Sequence, residues 1–326
     1  MKKLEDTFIQ GMYYSDEVVE KAISENTLLN LDLDMTNLCN LRCIYCDKVN
    51  IGESHSRKEN ELNLDESINI IKQAKELGCK NLQFMGAGEP TLDTNFWEII
   101  KYADKNDILS VVYTNGTRIS EGFAKKLFKL NTSVILKFNT FNPENQDKLV
   151  GVNGYYLRVM ESLSTLMDAG FNKTTPPRLA IDCVATPINL PEVKELYQYC
   201  RENNISPQFS GLIPHGEALQ RKLVVGREEY KKLYKQIKTY DKTIGYDYPE
   251  QIPFLGGFEC RQIKYGMYVD IQGNVWECNA GNLKVGNIRD SKLKDLWNST
   301  KAKEFRKSWK MGNCHVREKY WKNDKK

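Results

Sequence analysis

Residues 29–46 read LNLDLDMTNLCNLRCIYC, a short alternating run that leads directly into three cysteines. Side chains at i, i+2 and i+4 of a strand share a face. Leu29, Leu31, Leu33 and Met35 therefore fall on one side, with Asp32 and Asp34 on the other. Outward from this first strand, residues 29–36, β-type runs recur at 81–85, 109–114, 133–140, 178–184 and 207–213, and helical runs alternate with them. That alternation is the pattern of a parallel sheet wrapped by helices. The punctuation agrees: Asn63 and Glu66 have capping-box spacing, Gly78 ends the same helix, Ser120 opens another and Pro191 suits a first helical turn. Six such units are too few for a closed eight-fold barrel, so the predicted fold is α/β, a partial, open (β/α)6 TIM-like barrel.

The strand pattern also predicts what lines the barrel. The fourth strand separates Val134, Leu136 and Phe138 from Lys137 and Asn139, and the fifth separates Leu179, Ile181 and Cys183 from Asp182. The second and sixth add Gln83, Gln208 and Ser210 opposite apolar neighbours. Helices must cover the apolar face, which turns the polar set into the lumen, where a buried charge needs a partner or a ligand. Lys137 and the aspartates either neutralise one another or meet that ligand.

The chain has 326 residues, a formal charge of +4 and nine cysteines. This length predicts one large domain with a smaller one. The charge is too small to argue for a nucleic-acid partner, and much of the basic excess sits at 301–326, read as a solvated helix face and tail. Residues 1–14 lack the apolar run of a secretory signal, and no stretch is long enough to cross a bilayer. A cytoplasmic protein is expected, with no membrane partner. There an odd number of cysteines points to free thiols or metal ligands rather than a disulfide framework.

Cys39-x3-Cys43-x2-Cys46 lies in the loop after the first strand, at the end where parallel α/β folds bind ligands. Three thiolates at this spacing can grip three corners of a cubane iron–sulfur cluster and leave the fourth iron open. A closed zinc site wants four Cys or His ligands, and the nearest histidine, His55, lies in a polar loop with Gly52 and Ser54.

Cys39, Cys43, Tyr45 and Cys46 fill a C-x3-C-x-aromatic-C motif that resembles that of the radical S-adenosylmethionine (SAM) superfamily. Gly86-Ala87-Gly88-Glu89-Pro90, after the second strand, looks like that family's GGEP motif with alanine at its second position. The resemblance implies that Cys39, Cys43 and Cys46 hold a [4Fe–4S] cluster. It implies too that Gly86 and Gly88 admit the amino-acid end of SAM and that Glu89 contacts its ammonium. Thr114-Asn115-Gly116 is similar to the family's TNG, which places Asn115 at SAM. Asn139 sits where the family contacts the ribose, and Tyr45 where an aromatic ring neighbours the adenine. For each of these three, loop capping or packing is the alternative.

Cys260, then Gly273-x4-Cys278, then Cys314 resembles the entry to a SPASM or shorter twitch extension, as do Gly286-Asn287-Ile288 and Leu296-Trp297. The C-x2-C pairs of a full SPASM domain are missing. One auxiliary [4Fe–4S] cluster on three cysteines is therefore expected, its fourth iron open to substrate or ligated by a group such as His315; three unrelated buried thiols are the alternative. The expected organisation is a helical extension at 1–28, the barrel at 29–245 and a small α+β iron–sulfur extension at 246–326. A helix at 228–240 is expected to close the barrel, with a hairpin at 266–278 and a helix at 291–309 beyond it.

The resemblance implies reductive cleavage of SAM to a 5′-deoxyadenosyl radical that takes hydrogen from a substrate, with a flavodoxin- or ferredoxin-type electron donor. Asp34, Lys137 and Asp182 are candidates for proton transfer. Cys79, Cys183 and Cys200 read as core residues, and Cys183 doubles as a candidate hydrogen-atom donor. The polar lumen suggests dehydrogenation or epimerisation of a small polar substrate such as a sugar, aminocyclitol or nucleotide sugar. Modification of a ribosomal peptide is the alternative, and a non-catalytic iron–sulfur or zinc protein is the alternative of another class.

Overall fold

The computed structural model describes residues 3–46, 59–213, 218, 220–249, 254–257, 259–281, 283–309 and 314. His55 and His315 lie outside the described residues. In chain order the elements are α1 (Asp16–Glu25), β1 (Asn30–Leu33), α2 (Leu64–Glu76), β2 (Asn81–Phe84), α3 (Phe96–Lys105), β3 (Leu109–Thr114), α4 (Glu121–Lys129), β4 (Thr132–Lys137), α5 (Pro143–Val150), α6 (Tyr155–Asp168), β5 (Leu179–Ala185), α7 (Val193–Glu202) and β6 (Ser206–Gly211). There follow α8 (Arg227–Thr243), α9 (Gln262–Tyr265), β7 (Gly266–Val269), β8 (Asn274–Trp276), β9 (Lys284–Asn287), α10 (Leu293–Asn298) and α11 (Thr300–Ser308).

One sheet carries the molecule, in the order β6-β5-β4-β3-β2-β1-β7-β8-β9. Strands β1 to β6 pair in parallel, each beside its predecessor, and the sheet does not close on itself; this is the open (β/α)6 arrangement. Strand β7 then pairs in parallel with β1, Leu31 opposite Met267, before the sheet turns antiparallel through β8 and β9. The C-terminal hairpin is thus a continuation of the barrel sheet.

Local chemistry explains the element boundaries. Asn63 and Glu66 form the capping box, each side chain accepting from the other's backbone N–H at 2.9 Å. Ser120 caps α4 by accepting from Phe123 N at 3.3 Å. Pro191 lies in a turn ahead of α7 instead of in its first turn, held by Leu190 N donating to Thr186 O and Glu192 N to Asn189 O, both at 2.9 Å. The helix expected over 291–309 is two helices that meet at Ser299, whose hydroxyl accepts from Ala302 N at 3.3 Å and caps the second.

Side chains on the outer face of β1 to β5, among them Leu31, Leu33, Val112, Leu136 and Ile181, join the main core under the helices. The inner face is mixed. Leu109, Val111, Ile135 and Ala180, near the strand starts, form a small second core closed by Ile9 of the N-terminal segment. That segment is pinned by Gln10 N donating to Pro177 O at 2.9 Å. On β1 and β2 the same levels are polar: Asn30 and Asn81 lie in register with Leu109, and Asp32 and Gln83 with Val111.

The helix expected to close the barrel, α8, packs against α7 and reaches the edge strand β6, where Gly211 N donates to the Tyr230 hydroxyl at 3.1 Å; Ser210 of β6 also forms an antiparallel bridge with Phe254. A buried ion pair joins the two helices: Arg201 Nη2 lies 3.1 Å from Asp241 Oδ2, which also accepts from the hydroxyls of Tyr197 (2.6 Å) and Tyr248 (2.8 Å). The same guanidinium donates to Thr7 Oγ1 at 2.6 Å and Gly256 O at 3.3 Å, tying both flanking segments to the barrel. Among the described residues no helix is long and apolar enough to cross a membrane. Asp241→Ala would leave Arg201 charged, buried and unpaired, so it should cost about 3–5 kcal/mol, read as a lower urea midpoint.

Candidate active site

Three loops, at the carboxyl ends of β1, β2 and β3, meet over a cavity of about 460 Å³. In the first, Cys39, Cys43 and Cys46 all face the cavity. The loop is fixed by Arg42 N donating to Val150 O and Ile44 N to Leu149 O, both at 3.0 Å. Burial pushes the Cys39 thiol up to about 12, with Glu89 and the other two thiols adding to the effect. Burial raises Cys43 to about 11, Cys46 adding to this and Lys137 opposing it. A metal that binds these sulfurs must displace their protons, so loading is coupled to proton loss.

Among the described residues, no three Cys, His, Asp or Glu side chains converge closely enough to grip a single ion. The donor set is three sulfurs along one wall, the soft set that suits an iron–sulfur cluster.

The second loop is built against the first. Gly86 has φ +118° and packs its α-carbon on the Asp34 carboxylate. A Cβ on Gly88 would come within 2.7 Å of Thr36 O and closer still to Leu38 O. Glu89 N donates to Leu38 O at 2.7 Å. The Glu89 carboxylate is almost fully buried: Oε1 accepts from Thr91 N (3.2 Å), Thr91 Oγ1 (2.6 Å) and Thr114 Oγ1 (2.7 Å), and Oε2 from Asn115 N at 2.6 Å. Burial raises its pKa and these donors oppose the rise. Glu89 is thus first a brace between the loops after β2 and β3. Its Oε2, with one donor and on the cavity wall, keeps capacity for an ammonium.

Asn115 completes the brace, donating from Nδ2 to Asn40 Oδ1 in the cysteine loop at 2.8 Å. Asn139 is fully buried: Nδ2 donates to the Tyr45 hydroxyl at 3.1 Å while Oδ1 accepts from Val184 N at 3.1 Å. Tyr45, which lines the cavity, is held in place through Asn139. The glycine cradle, the carboxylate and the ring together fit the amino-acid and adenine ends of SAM.

Deeper on the wall, Lys137 Nζ and Asp182 Oδ2 pair at 2.6 Å from register positions on β4 and β5. Burial works against the charge on Lys137 and the Asp182 carboxylate outweighs it, leaving the amine above its ordinary value. Asp34 lies off the cavity wall, behind Gly86, and accepts from the Tyr268 hydroxyl at 2.6 Å. Cys183 points the other way from Asp182, into the main core, 3.4 Å from Asn139 O. With no opening to the cavity, it is not placed to hand a hydrogen atom to a ligand there.

Cys260, Cys278 and Cys314 border the same cavity from the β7–β8 side. Burial raises the Cys278 thiol, with Cys260, Glu277 and Cys314 contributing, so the three share one neighbourhood. The Glu277 carboxylate braces the loop beyond by accepting from Leu283 N. Sequence reasoning missed Tyr113, Arg261 and Gln262 as cavity residues and gave Asp32 no role beyond its face. The alternation did point Asp32 inward; the β1–β7 pairing that brings Gln262 over it leaves no local signal.

A family model described as the radical SAM superfamily matches residues 33–200, and one described as an iron–sulfur cluster-binding domain, SPASM, matches 260–317. The chain is 30% identical over 183 residues to a probable GTP 3′,8-cyclase of Methanococcus maripaludis, covering 56% of this chain but only 58% of the cyclase. It is 24% identical over 315 residues to the AdoMet-dependent heme synthase of Oleidesulfovibrio alaskensis, covering 86% of this chain and 78% of the synthase. Among solved structures, Streptococcus suis SuiB bound to its precursor peptide SuiA superposes with a TM-score of 0.66 at 18% identity, over 90% of this chain and 70% of SuiB.

Gly88→Ala should push the second loop off the Thr36 and Leu38 carbonyls. The expected outcome is reduced iron and sulfide at the Cys39/Cys43/Cys46 site after anaerobic reconstitution, measured in a background lacking Cys260, Cys278 and Cys314, while the far-ultraviolet circular dichroism stays unchanged.

Proposed function

Because the chain belongs to the radical SAM superfamily, we propose that this radical SAM enzyme dehydrogenates a polar substrate seated between its two cysteine sites. The observation that carries the reading is the single cavity bordered by both cysteine trios, with Gln83, Lys137, Asp182 and Gln208 on the wall between them. Cys39, Cys43 and Cys46 would hold the radical-generating cluster, the Gly86–Glu89 loop, Asn115 and Tyr45 would position SAM, and Cys260, Cys278 and Cys314 would hold the auxiliary cluster. When bound, the first cluster and SAM supply the 5′-deoxyadenosyl radical that removes a hydrogen atom.

A substrate that has lost a hydrogen atom must then lose one electron and one proton to be dehydrogenated, or regain a hydrogen atom to be epimerised. In this reading the Asp182 carboxylate, paired with Lys137 on the cavity wall, would accept the proton. The auxiliary site, on the same cavity, is placed to accept the electron. Of the cysteines outside the two trios, Cys79, Cys183 and Cys200 are all in the core and none lines the cavity, which favours dehydrogenation over a thiol-mediated epimerisation. The likeness to a structure with bound precursor peptide supports a second reading, in which the polar group belongs to a peptide residue.

One experiment separates these. The reconstituted enzyme is reduced with SAM and deuterated candidates, polyols and amino sugars on one side and peptides on the other. The proposal expects deuterium in 5′-deoxyadenosine from the small polar set and an oxidised product three mass units lighter than the deuterated substrate, which has lost one deuterium and one proton. Transfer from peptides alone would replace it with the second reading. Replacing Cys39, Cys43 and Cys46 by alanine should abolish 5′-deoxyadenosine altogether.

A further inference from the structure

Asp32 and Gln83 are register partners on β1 and β2, so their side chains stand together on the cavity wall. Asp32 is 2% exposed and Gln83 4%. The amide donors around them are turned toward one another. Asn30 Nδ2 and Gln262 Nε2 both donate to Asp32 Oδ1, at 2.8 and 3.0 Å. Gln83 Nε2 and Asn81 Nδ2 both donate to Asn30 Oδ1, the former at 3.0 Å. Turning the Gln83 amide would set its oxygen against the Asn30 oxygen, so its orientation is fixed.

What remains for the cavity is acceptors. Gln83 Oε1 is buried with no hydrogen-bond partner, and the donors on Asp32 are the neutral amides of Asn30 and Gln262. A buried carboxylate and a bare amide oxygen side by side are costly unless a ligand brings donors and charge.

We propose that Asp32 and Gln83 form the subsite for a protonated primary amine of the substrate, the ammonium donating to both. The inference rests on the proposed function and narrows its substrate class to amine-bearing compounds. The electrostatics fit: burial raises Asp32 to about 7, Asn30 and Gln262 opposing the rise and Asp34 adding to it. The other titratable groups whose charge Asp32 influences are Cys79 before β2, Tyr113 on β3, Tyr265 on α9 and Tyr268 on β7, none of them a cation. Among the described residues the two cations on the cavity wall are paired elsewhere, Arg261 with Asp16 and Glu259 and Lys137 with Asp182. An ammonium therefore binds the ionised carboxylate, and amine affinity rises as pH climbs through about 7.

The test uses the full chain, anaerobically reconstituted with SAM, and two probes of one shape: trans-2-aminocyclohexanol and trans-cyclohexane-1,2-diol. Binding is followed by calorimetry at probe concentrations up to tens of millimolar. The proposal expects the amine to bind at least about tenfold more tightly than the diol at pH 8. That preference should shrink at pH 6 and disappear in Asp32→Asn, which keeps the hydrogen-bond geometry. Equal affinity for the two probes, a preference that survives Asp32→Asn, or binding of neither would overturn it. Failure to form 5′-deoxyadenosine on reduction is a separate result and counts against the enzyme reading itself.

Discussion

The site depends on one carboxylate. Glu89 reaches from the loop after β2 to Thr114 and Asn115 after β3, while its backbone N–H is anchored on Leu38 of the cysteine loop. Three loops that share no secondary structure are thereby made one hydrogen-bonded unit, and Gly88 is small so that the unit can close on the Thr36 and Leu38 carbonyls. Burial raises the pKa of this carboxylate and four donors oppose the rise, and an ammonium on the cavity side would oppose it further.

Below that unit the barrel's inner face is divided between strands. Ile9 packs on Leu109, Val111, Ile135 and Ala180 of β3 to β5, while β1 and β2 carry the polar Asp32 and Gln83 in register with Val111. The auxiliary cysteines arrive by way of β7, added in parallel beside β1. Extending the sheet in this way brings Cys260, before β7, and Cys278, after β8, to the cavity that the first trio lines.

Much of this was legible in the sequence because it is local. Period-two alternation sorted Asp32, Gln83, Lys137 and Asp182 to the lumen and Cys183 to the core, and the cysteine spacing with Gly86–Pro90 marked the site. The rest is tertiary. Nothing in residues 266–269 announces that their partner is β1, more than two hundred residues earlier, so Gln262 over Asp32 was unreadable. The N-terminal plug was invisible because Ile9 has no periodic context. Glu89 and Asn139 were assigned to ligands by motif, whereas the structure shows Glu89 bracing loops as well and Asn139 holding Tyr45; hydrogen bonds between loops follow no spacing rule.

The central claim, that Glu89 makes the three loops a single unit, is tested most directly by hydrogen exchange on Glu89→Gln, which keeps the side chain's shape but turns a donor toward Asn115 N. The account predicts that amides at 36–46, 86–91 and 114–117 lose protection together, as one cooperative opening. Loss confined to 86–91, with the cysteine loop and the loop after β3 as protected as in the natural protein, would contradict it.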